Sequence, residues 1–528
     1  MPFLQANNIS HQFSNGDVIF ENLSCVMTHS RVGLIGSNGA GKSLLASILL
    51  KLAAPYKGTV SEPKDFVFYQ QQTDQAFQDS ETIAEFLGVS KVLDALKKIA
   101  SGDCDPYWFD VVGDSWSLEQ QLKDDLLQLG LPQEPEFRCE KLSGGQRAKL
   151  LLWKAFDSEC ELLVLDEPSN HLDRESKQWL MDAMQRFKGG ILLISHDREL
   201  LRNMNEIWEL STLGLRTFGG NYDDYAAQNE AEQRAVERQL NHNLKQQKLL
   251  EKQAQRNREK AEQRAAQGAK QRKSGSQPKI LMDAKKGKAT ANMANRLKNE
   301  SVRRTHLDDK ARQLEARYAR SKPQSLYLGQ SDVRSKRVLS VIQGKLPFSE
   351  HEPITFQLYS NSKLYLEGKN GIGKSTLLNV LRGTQSLVDG ELQVSAAACY
   401  LDQHFGAIER SLSMLDNLTK ACPHLNESEA RTLLAGIGFR RDSVNRIAQM
   451  LSGGEKMKLA MLMVSHQLNQ PILLLDEPDN HLDIESKVML AKALMQYQGG
   501  YILVSHDQDF VHESGVNQNL RLSAPQSS

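Results

Sequence analysis

A twelve-residue stretch that occurs twice constrains the fold of this chain more than any other feature. Residues 162–173 read Leu-Leu-Val-Leu-Asp-Glu-Pro-Ser-Asn-His-Leu-Asp, and residues 472–483 read Ile-Leu-Leu-Leu-Asp-Glu-Pro-Asp-Asn-His-Leu-Asp. A short apolar run that ends in two acids indicates a buried strand of a parallel sheet, with carboxylates at its carboxyl edge that suit a metal ion and a polarised water. A helix cap could explain one Asp-Glu pair, but not its return with the same flanks 310 positions later.

A glycine-rich loop stands upstream of each copy, between a predicted strand and a predicted helix. Both loops match the G-x-x-x-x-G-K-S pattern, in which backbone N–H groups converge on phosphate oxygens, the lysine reaches the terminal phosphates and the serine ligates Mg²⁺. The loops consist of Gly36, Ser37, Asn38, Gly39, Ala40, Gly41, Lys42 and Ser43, and of Gly368, Lys369, Asn370, Gly371, Ile372, Gly373, Lys374, Ser375 and Thr376. The chain therefore carries two nucleotide-binding units.

A third motif lies between loop and carboxylates in each half and precedes a helical pattern. Its serine and glycines are Ser143, Gly144 and Gly145 in the first half, and Ser452, Gly453 and Gly454 in the second. The serine hydroxyl and the backbone amides can bind an anion, although a plain helix cap explains the same pattern. Since one nucleotide needs only one phosphate loop, a second anion-binding element suggests that each nucleotide is contacted from two sides.

These motifs, with His196 and His506 after apolar runs, resemble the ATP-binding cassette fold twice over. The resemblance implies an α/β fold with two P-loop ATP-binding cassette domains that pair head to tail within one chain. It implies an ATP hydrolase with two composite active sites. The first site would combine Lys42, Ser43, Asp166, Glu167 and His196 with Ser452 and Gly454; the second would combine Lys374, Ser375, Asp476, Glu477 and His506 with Ser143 and Gly145.

The resemblance also implies a role for each side chain, with ATP and Mg²⁺ as the bound groups. Asp166 and Asp476 would hold Mg²⁺, Glu167 and Glu477 would polarise the attacking water, and the two histidines would sense the γ-phosphate. A glutamine that bridges metal and water is expected at Gln403 and at Gln71, with Gln70 as the alternative to Gln71. An aromatic side chain that stacks on adenine is expected at Phe13, and in the second half Phe348 is only a candidate.

The sequence predicts three domains: a first cassette at 1–226, a linker at 227–330 and a second cassette at 331–528. From Lys42 to Ser143 is 101 positions, whereas from Lys374 to Ser452 is 78. The first cassette is therefore expected to carry a small helical insert at about 73–130, with helices at 80–88, 90–100 and 117–129, each with a serine at its N-cap.

The linker is basic, although the whole chain balances 65 Lys and Arg against 65 Asp and Glu. Residues 231–330 hold 25 basic and 10 acidic residues. Sparse leucines predict a long solvated helix to about Lys270, a break at Ser274, Gly275 and Pro278, and a second helix at about 290–320. A solvated spacer is the plain interpretation, but a net basic helical hairpin favours a polyanion such as RNA.

Composition excludes several other classes. The six cysteines form no C-x-x-C pair, which argues against zinc and iron–sulfur sites. No run of about 18 apolar residues predicts a membrane-spanning helix, and the first residues lack the features of a signal peptide. A cytoplasmic protein is expected.

Two cassettes joined by a basic helical linker of about 100 residues resemble the ABC-F family of soluble ATPases. The resemblance implies a monomer that binds the tRNA exit site of the ribosome, with its linker reaching toward the peptidyl-transferase centre and contacting rRNA and peptidyl-tRNA. Members either assist translation or protect ribosomes from antibiotics. The alternatives are an ATPase subunit of a separate membrane transporter, which would not need the linker, and a DNA repair ATPase, which would need zinc-binding cysteines or very long coiled coils.

Overall fold

A computed structural model describes most of the chain. The described residues are 3–12, 18–61, 65–70, 80–170, 172–211, 214–273, 298–299, 301–312, 314, 336–347, 351–401, 406, 408–439, 441–467, 472–480 and 482–523. The chain separates into two compact units, one formed by Met1–Asp223 with Gln324–Ser528 and the other by Asp224–Pro323. The three domains predicted from the sequence, and the two boundaries between them, stay a prediction.

The strands described in the first cassette form two sheets. Its strands are β1 (Leu4–Gln12), β2 (Val18–Met27), β3 (Arg31–Gly36), β4 (Lys57–Val60), β5 (Phe66–Tyr69), β6 (Leu162–Asp166), β7 (Gly190–Ile194), β8 (Glu206–Ser211) and β9 (Gly214–Gly219). A small antiparallel sheet has the order β2-β1-β4, and the main sheet has the order β5-β6-β7-β3-β8-β9, parallel except for β9. Every residue of β6 and β7 is buried, as expected for central parallel strands.

Eight α-helices complete the described part of this cassette. They are α1 (Lys42–Leu49), α2 (Ile83–Leu87), α3 (Ser90–Ala100), α4 (Pro106–Val112), α5 (Leu118–Gln128), α6 (Gly144–Asp157), α7 (Arg174–Arg186) and α8 (Arg198–Leu201). Leu45, Ile48 and Leu49 of α1 join the core beneath the main sheet. This packing fixes the amino end of α1 at the carboxyl edge of β3.

The insert differs in detail from the prediction. The first helix is capped by Thr82 rather than Ser80, because Thr82 and Glu85 form a reciprocal capping box. Val89 is the N-cap of α3, and Ser117 is the N-cap of α5 without a side-chain bond. The short helix α4, which starts at Asp105-Pro106, was not predicted. Residues 73–79 of the expected insert lie outside the described residues.

The described residues of the second unit form one long helix, α9 (Tyr222–Lys273, whose first two residues belong to the other unit), and a shorter helical segment, α10, at 301–312. Asn243 Nδ2 donates to the carbonyl of Leu307 at 3.3 Å, and Arg304 lies 3.7 Å from Glu251. The later residue of α9, Glu251, thus contacts the earlier residue of α10, Arg304, so the two helices are antiparallel. At ~1.5 Å per residue, α9 spans roughly 80 Å. The predicted linker tip lies outside the described residues.

The second cassette repeats the architecture of the first. Its strands are β10 (Arg337–Lys345), β11 (Ile354–Tyr359), β12 (Lys363–Glu367), β13 (Asp389–Val394), β14 (Ala398–Leu401), β15 (Ile472–Asp476), β16 (Tyr501–Val504) and β17 (Gln518–Arg521), and its helices are α11 (Lys374–Arg382), α12 (Met414–Ala421), α13 (Glu427–Gly436), α14 (Gly453–Ser465), α15 (Ile484–Gln496) and α16 (Gln508–Glu513). The antiparallel sheet has the order β11-β10-β13 and the parallel sheet β14-β15-β16-β12-β17. Among the described helices of both cassettes and the linker, none is long and apolar enough to cross a bilayer.

Candidate nucleotide sites

Each phosphate loop joins a buried parallel strand to a helix through left-handed glycines. Gly39 and Gly41 have φ of 81° and 92°, and Gly371 and Gly373 have φ of 79° and 107°. A side chain there would be strained, and a Cβ at Gly41 would also lie 2.7 Å from Ile19 Cγ2. The glycines let the backbone turn directly into the helix N-terminus, which favours anions.

The loop lysines are held in the same way in both cassettes. Lys42 Nζ donates to the carbonyls of Gly36 and Ser37 at 2.9 and 3.2 Å. Lys374 Nζ donates to its own loop, to the carbonyls of Gly368 and Lys369 at 2.7 and 3.2 Å. Burial lowers the pKa of both lysines, although nearby carboxylates oppose it. An ammonium has three donors, so a phosphate oxygen can accept the third N–H.

The serine and aspartate predicted to hold Mg²⁺ are adjacent in both sites. Asp166 is hydrogen-bonded to Ser43, and Asp476 is hydrogen-bonded to Ser375. Burial raises the pKa of both aspartates, which a bound cation would reverse. The described residues contain no cluster of three or more His, Cys, Asp or Glu that could hold a metal. One carboxylate and one hydroxyl nonetheless fit Mg²⁺, which takes its other ligands from phosphates and water.

Glu167 and Glu477 both occupy the left-handed region, each with φ of 49°. Their backbone N–H groups donate to the carbonyls of Ile194 at 2.8 Å and Val504 at 3.0 Å, the last residues of the neighbouring strands. Such a backbone is uncommon for glutamate and is held only because the sheet fixes both sides of the turn. Both glutamates line a single cavity of about 580 Å³, a volume typical of ligand pockets.

The two glutamates differ in their electrostatics. Burial raises the pKa of Glu167 to about 7, and the positive charge of Lys42 offsets only part of this increase. Burial lowers the pKa of His196 to about 3, and its Nε2 lies 3.2 Å from Asn38 Oδ1 and 3.7 Å from Glu167 Oε1. Burial also acts on Glu477, but His506 Nε2 at 3.4 Å helps to outweigh it, so the pKa of Glu477 is lowered.

The loops contact the repeated stretch of the opposite cassette. The backbone N–H of Asn38 donates to Asp483 Oδ2 at 3.1 Å, and the backbone of Asn370 is hydrogen-bonded to Asp173. The cavity accordingly has walls from both cassettes, with Lys42 and His196 from the first and His506 from the second. Each half thus contributes to the surroundings of the other half's loop.

The serines and glycines of the third motif do not line this cavity. Ser143 and Ser452 are the N-caps of α6 and α14, and each forms a capping box with the residue three positions on, Gln146 or Glu455. Among the described residues that form the cavity wall, none belongs to 143–145 or 452–454. Their participation in nucleotide binding stays a prediction.

Three of the predicted site residues, Phe13, Gln71 and Gln403, lie outside the described residues, as does Phe348. The alternative glutamine, Gln70, is described and exposed. Conversely, the sequence-based assignment missed Asp173 and Asp483, which accept hydrogen bonds from the opposite loops. It also missed the buried Lys177 and Lys487, which line the cavity. The signal that could have found them is their presence in the repeated stretch and in the Glu-Ser-Lys that follows it.

Comparison with known proteins places the chain in a family. The sequence pattern of the family described as ABC transporter matches residues 21–170 and 351–480. YdiF of Bacillus subtilis (strain 168), described as an ATP-binding protein, is 30% identical over 97% of this chain and 79% of its own length. ATP-binding protein Uup of Escherichia coli (strain K12) is 28% identical over 92% of this chain and 74% of its own. Energy-dependent translational throttle protein EttA of Mycobacterium tuberculosis (strain ATCC 25618 / H37Rv) is 28% identical over 91% of this chain and 84% of its own.

Solved structures show the same fold. A chain from the complex of archaeal ribosomal stalk protein aP1 and archaeal ribosome recycling factor aABCE1 has a TM-score of 0.58 at 16% identity, covering 97% of this chain and 87% of that one. RNase-L Inhibitor has a TM-score of 0.57 at 16% identity, covering 98% and 91%. The predicted α/β fold with two cassettes is confirmed, and the chain is a tandem-cassette ATPase of the ATP-binding cassette family, in its ABC-F group.

Proposed function

We propose that this chain is an ATP hydrolase that binds the ribosome and acts in translation. The observation that carries the proposal is the contact of each phosphate loop with the opposite cassette, through Asn38 with Asp483 and Asn370 with Asp173. A protein built this way can close on two nucleotides and open again after hydrolysis. The similarity to an energy-dependent translational throttle protein and the basic linker both support the ribosome as the partner.

In this proposal the two ATP sites are composite. Lys42 or Lys374 binds the terminal phosphates, the serine and aspartate of each site hold Mg²⁺, and Ser452 or Ser143 approaches from the other cassette. Mg²⁺, when bound, neutralises charge on the phosphates. Glu167 and Glu477 orient and polarise the attacking water, with Gln71 and Gln403 beside it, while Phe13 stacks on adenine.

We place the protein at the tRNA exit site, with the linker directed toward the peptidyl-transferase centre and in contact with rRNA and peptidyl-tRNA. Pairing of the cassettes within one chain makes a monomer sufficient, and binding to ribosomes makes the protein cytoplasmic. The effect is either on translation itself or on antibiotics bound near that centre, and susceptibility tests with and without the protein distinguish the two.

Ribosome co-sedimentation tests this proposal. The Glu167→Gln/Glu477→Gln variant should bind ATP without hydrolysing it, and should therefore sediment with ribosomes in ATP but not in ADP. The matched control is Lys42→Ala/Lys374→Ala, which should fail to sediment in either nucleotide. Association with a membrane complex and none with ribosomes would favour the transporter subunit instead.

Deletion of residues 270–290 tests the linker separately. Because no nucleotide-site residue is removed, ATP hydrolysis should persist, whereas any effect of the protein on in vitro translation should be lost. A translation effect that survives the deletion contradicts the role given to the linker.

A further inference from the structure

Two buried lysines lie where the cassettes meet, and no step of the proposed hydrolysis uses them. Lys177 on α7 and Lys487 on α15 each end a Glu-Ser-Lys sequence and are 7% and 8% exposed. With them lie three buried aspartates, Asp197, Asp507 and Asp479. These five residues are called the central charge cluster.

Lys177 contacts both cassettes through one ammonium. Its Nζ lies 2.7 Å from Asp197 Oδ2, in its own cassette, and donates to the carbonyl of His506 at 3.1 Å, in the other. Asp197 directly follows His196. The same ammonium therefore connects the segments that carry the two histidines predicted to sense the γ-phosphates.

Lys487 has the matching position in the second cassette. Its Nζ lies 3.0 Å from Asp507 Oδ2, and Asp507 directly follows His506. Burial opposes the charge on Lys487, but attraction by Asp507, Asp479 and Asp197 outweighs it, so the pKa of this lysine is raised. The pKa of Lys177 is also raised, because attraction by Asp197 overcomes burial. Both ammonium groups are charged and are attracted by carboxylates of both halves.

The first histidine segment is connected to the phosphate loop of its own cassette as well. His196 Nε2 lies 3.2 Å from Asn38 Oδ1, and the Asn38 backbone donates to Asp483 of the opposite cassette. A change at the first loop that moves His196 thus also moves Asp197, and through Lys177 it reaches His506. Stability alone is a weak reason for such a cluster, since buried ion pairs rarely stabilise more than well-packed apolar side chains do.

We propose that Lys177 and Lys487 are positioning residues that couple the two nucleotide sites, by holding the segments after His196 and His506 against each other. The inference rests on the proposed ATP hydrolysis at two sites. Because energetic coupling is reciprocal, occupation of either site would then favour occupation of the other. Lys177 and Lys487 have no contact with the reacting atoms in this role.

Blocking one site measures the coupling in the full-length chain. Glu477→Gln leaves unhydrolysed ATP in the second site. In a coupled protein this ATP also favours retention of nucleotide in the first site and delays its release, so total ATP turnover should fall by ~5-fold or more. With Lys177→Met added to both the parent and the blocked chain, the same block should reduce turnover by only ~2-fold, as expected for independent sites. Lys177→Arg, which keeps the charge and the donors, should restore the larger effect. An equal effect of the block with and without Lys177 overturns the inference.

The matched control is Lys492→Met, the same substitution on α15 at an exposed position. It should leave the effect of the block as it is in the parent chain. Where Lys177→Met lowers the stability of the fold, Lys177→Met/Asp197→Asn removes the pair together and should give the same loss of coupling. If Glu167→Gln/Glu477→Gln retains full ATP hydrolysis, the proposed function is wrong. If hydrolysis requires the two glutamates but the coupling is unchanged by Lys177→Met, only the inference about the lysines is wrong.

Discussion

Two glutamates at equivalent positions of the repeat have pKa values shifted in opposite directions. Asn480 Nδ2 donates to Glu477 Oε2, and His506 lies beside the other oxygen. Glu167 Oε1, by contrast, is buried and has no hydrogen-bond partner among the described residues. The second carboxylate is therefore kept ionised, whereas the pKa of about 7 lets the first exchange a proton near neutral pH.

This difference predicts opposite stability effects of the two Glu→Gln substitutions. The pKa of Glu167 is raised from 4.5 to about 7, so its neutral form is favoured in the fold. That stabilisation is complete below pH 4.5 and is lost as the pH rises through 7. Relative to wild type, Glu167→Gln should gain roughly 2–4 kcal/mol in unfolding free energy between those two limits, measured by urea unfolding.

Glu477→Gln provides the comparison. Its lowered pKa means that the ionised form is favoured in the fold, so its stabilisation is present above 4.5 and is lost as the pH falls. This variant should be less stable than wild type at neutral pH. Stability changes of the same sign in both variants would contradict the opposite pKa shifts of Glu167 and Glu477.

At the scale of elements, the spacing between motifs predicted that the first cassette has an insert, but it did not predict which helices form it. An isolated β-bridge pairs Thr82 with Arg138, and another pairs Ser413 with Ile447. Thr82 is the N-cap of α2, which follows β5, and Ser413 is the N-cap of α12, which follows β14. By this correspondence α2 matches α12, and α3 with α4 lie within the additional stretch. The length difference predicted an insert, but the capping residue could be identified only from its hydrogen bonds.

The caps of the insert predict different costs for two similar substitutions. Thr82 accepts from the Glu85 backbone at 3.2 Å and Glu85 Oε2 accepts in return at 2.8 Å, so Thr82→Ala should lower the unfolding free energy by ~1 kcal/mol. Ser117, which makes no side-chain cap bond, is the control, and Ser117→Ala should cost under ~0.5 kcal/mol. Chemical unfolding of the two variants measures both values; equal costs would argue against the capping box.

At the scale of the whole molecule, ion pairs cross between the cassettes within their compact unit. Arg198 makes two parallel bonds to Glu513, at 2.7 and 3.1 Å, and Arg202 does the same to Asp509, at 2.8 and 3.0 Å. Lys369 and Glu175 also pair across the cassettes at 2.9 Å, but both of these side chains are about 70% exposed. The contacts between the cassettes therefore include bidentate arginine–carboxylate pairs that are at least partly buried and a pair that is exposed to solvent.

A double-mutant cycle should distinguish them. Arg198 is almost fully buried and its pairing with Glu513 is bidentate, so Arg198→Met and Glu513→Gln should show a coupling energy of ~1–2 kcal/mol, which allows for the partial exposure of Glu513. The control cycle, Lys369→Met with Glu175→Gln, should give under ~0.5 kcal/mol because solvent screens the pair. Unfolding in urea supplies the energies, and a larger value for the exposed pair would refute this ranking.

The local elements of the site were readable from the chain itself. The glycines of both loops, the buried strands before Asp166 and Asp476, and the helices after Lys42 and Lys374 follow from backbone geometry and short-range apolar patterns. These depend on neighbours a few positions away, which a sequence displays directly. The basic composition of the linker is likewise a property of the chain alone.

The tertiary structure decided what depends on distant residues. Asn38 meets Asp483 across 445 positions, and Lys177 reaches His506 across 329, so neither contact has a local signature. The opposite pKa shifts of Glu167 and Glu477 arise from burial and from neighbours that differ between otherwise matching halves. Desolvation and ion pairing are set by packing, and identical motifs acquire different electrostatics once packing places them in different surroundings.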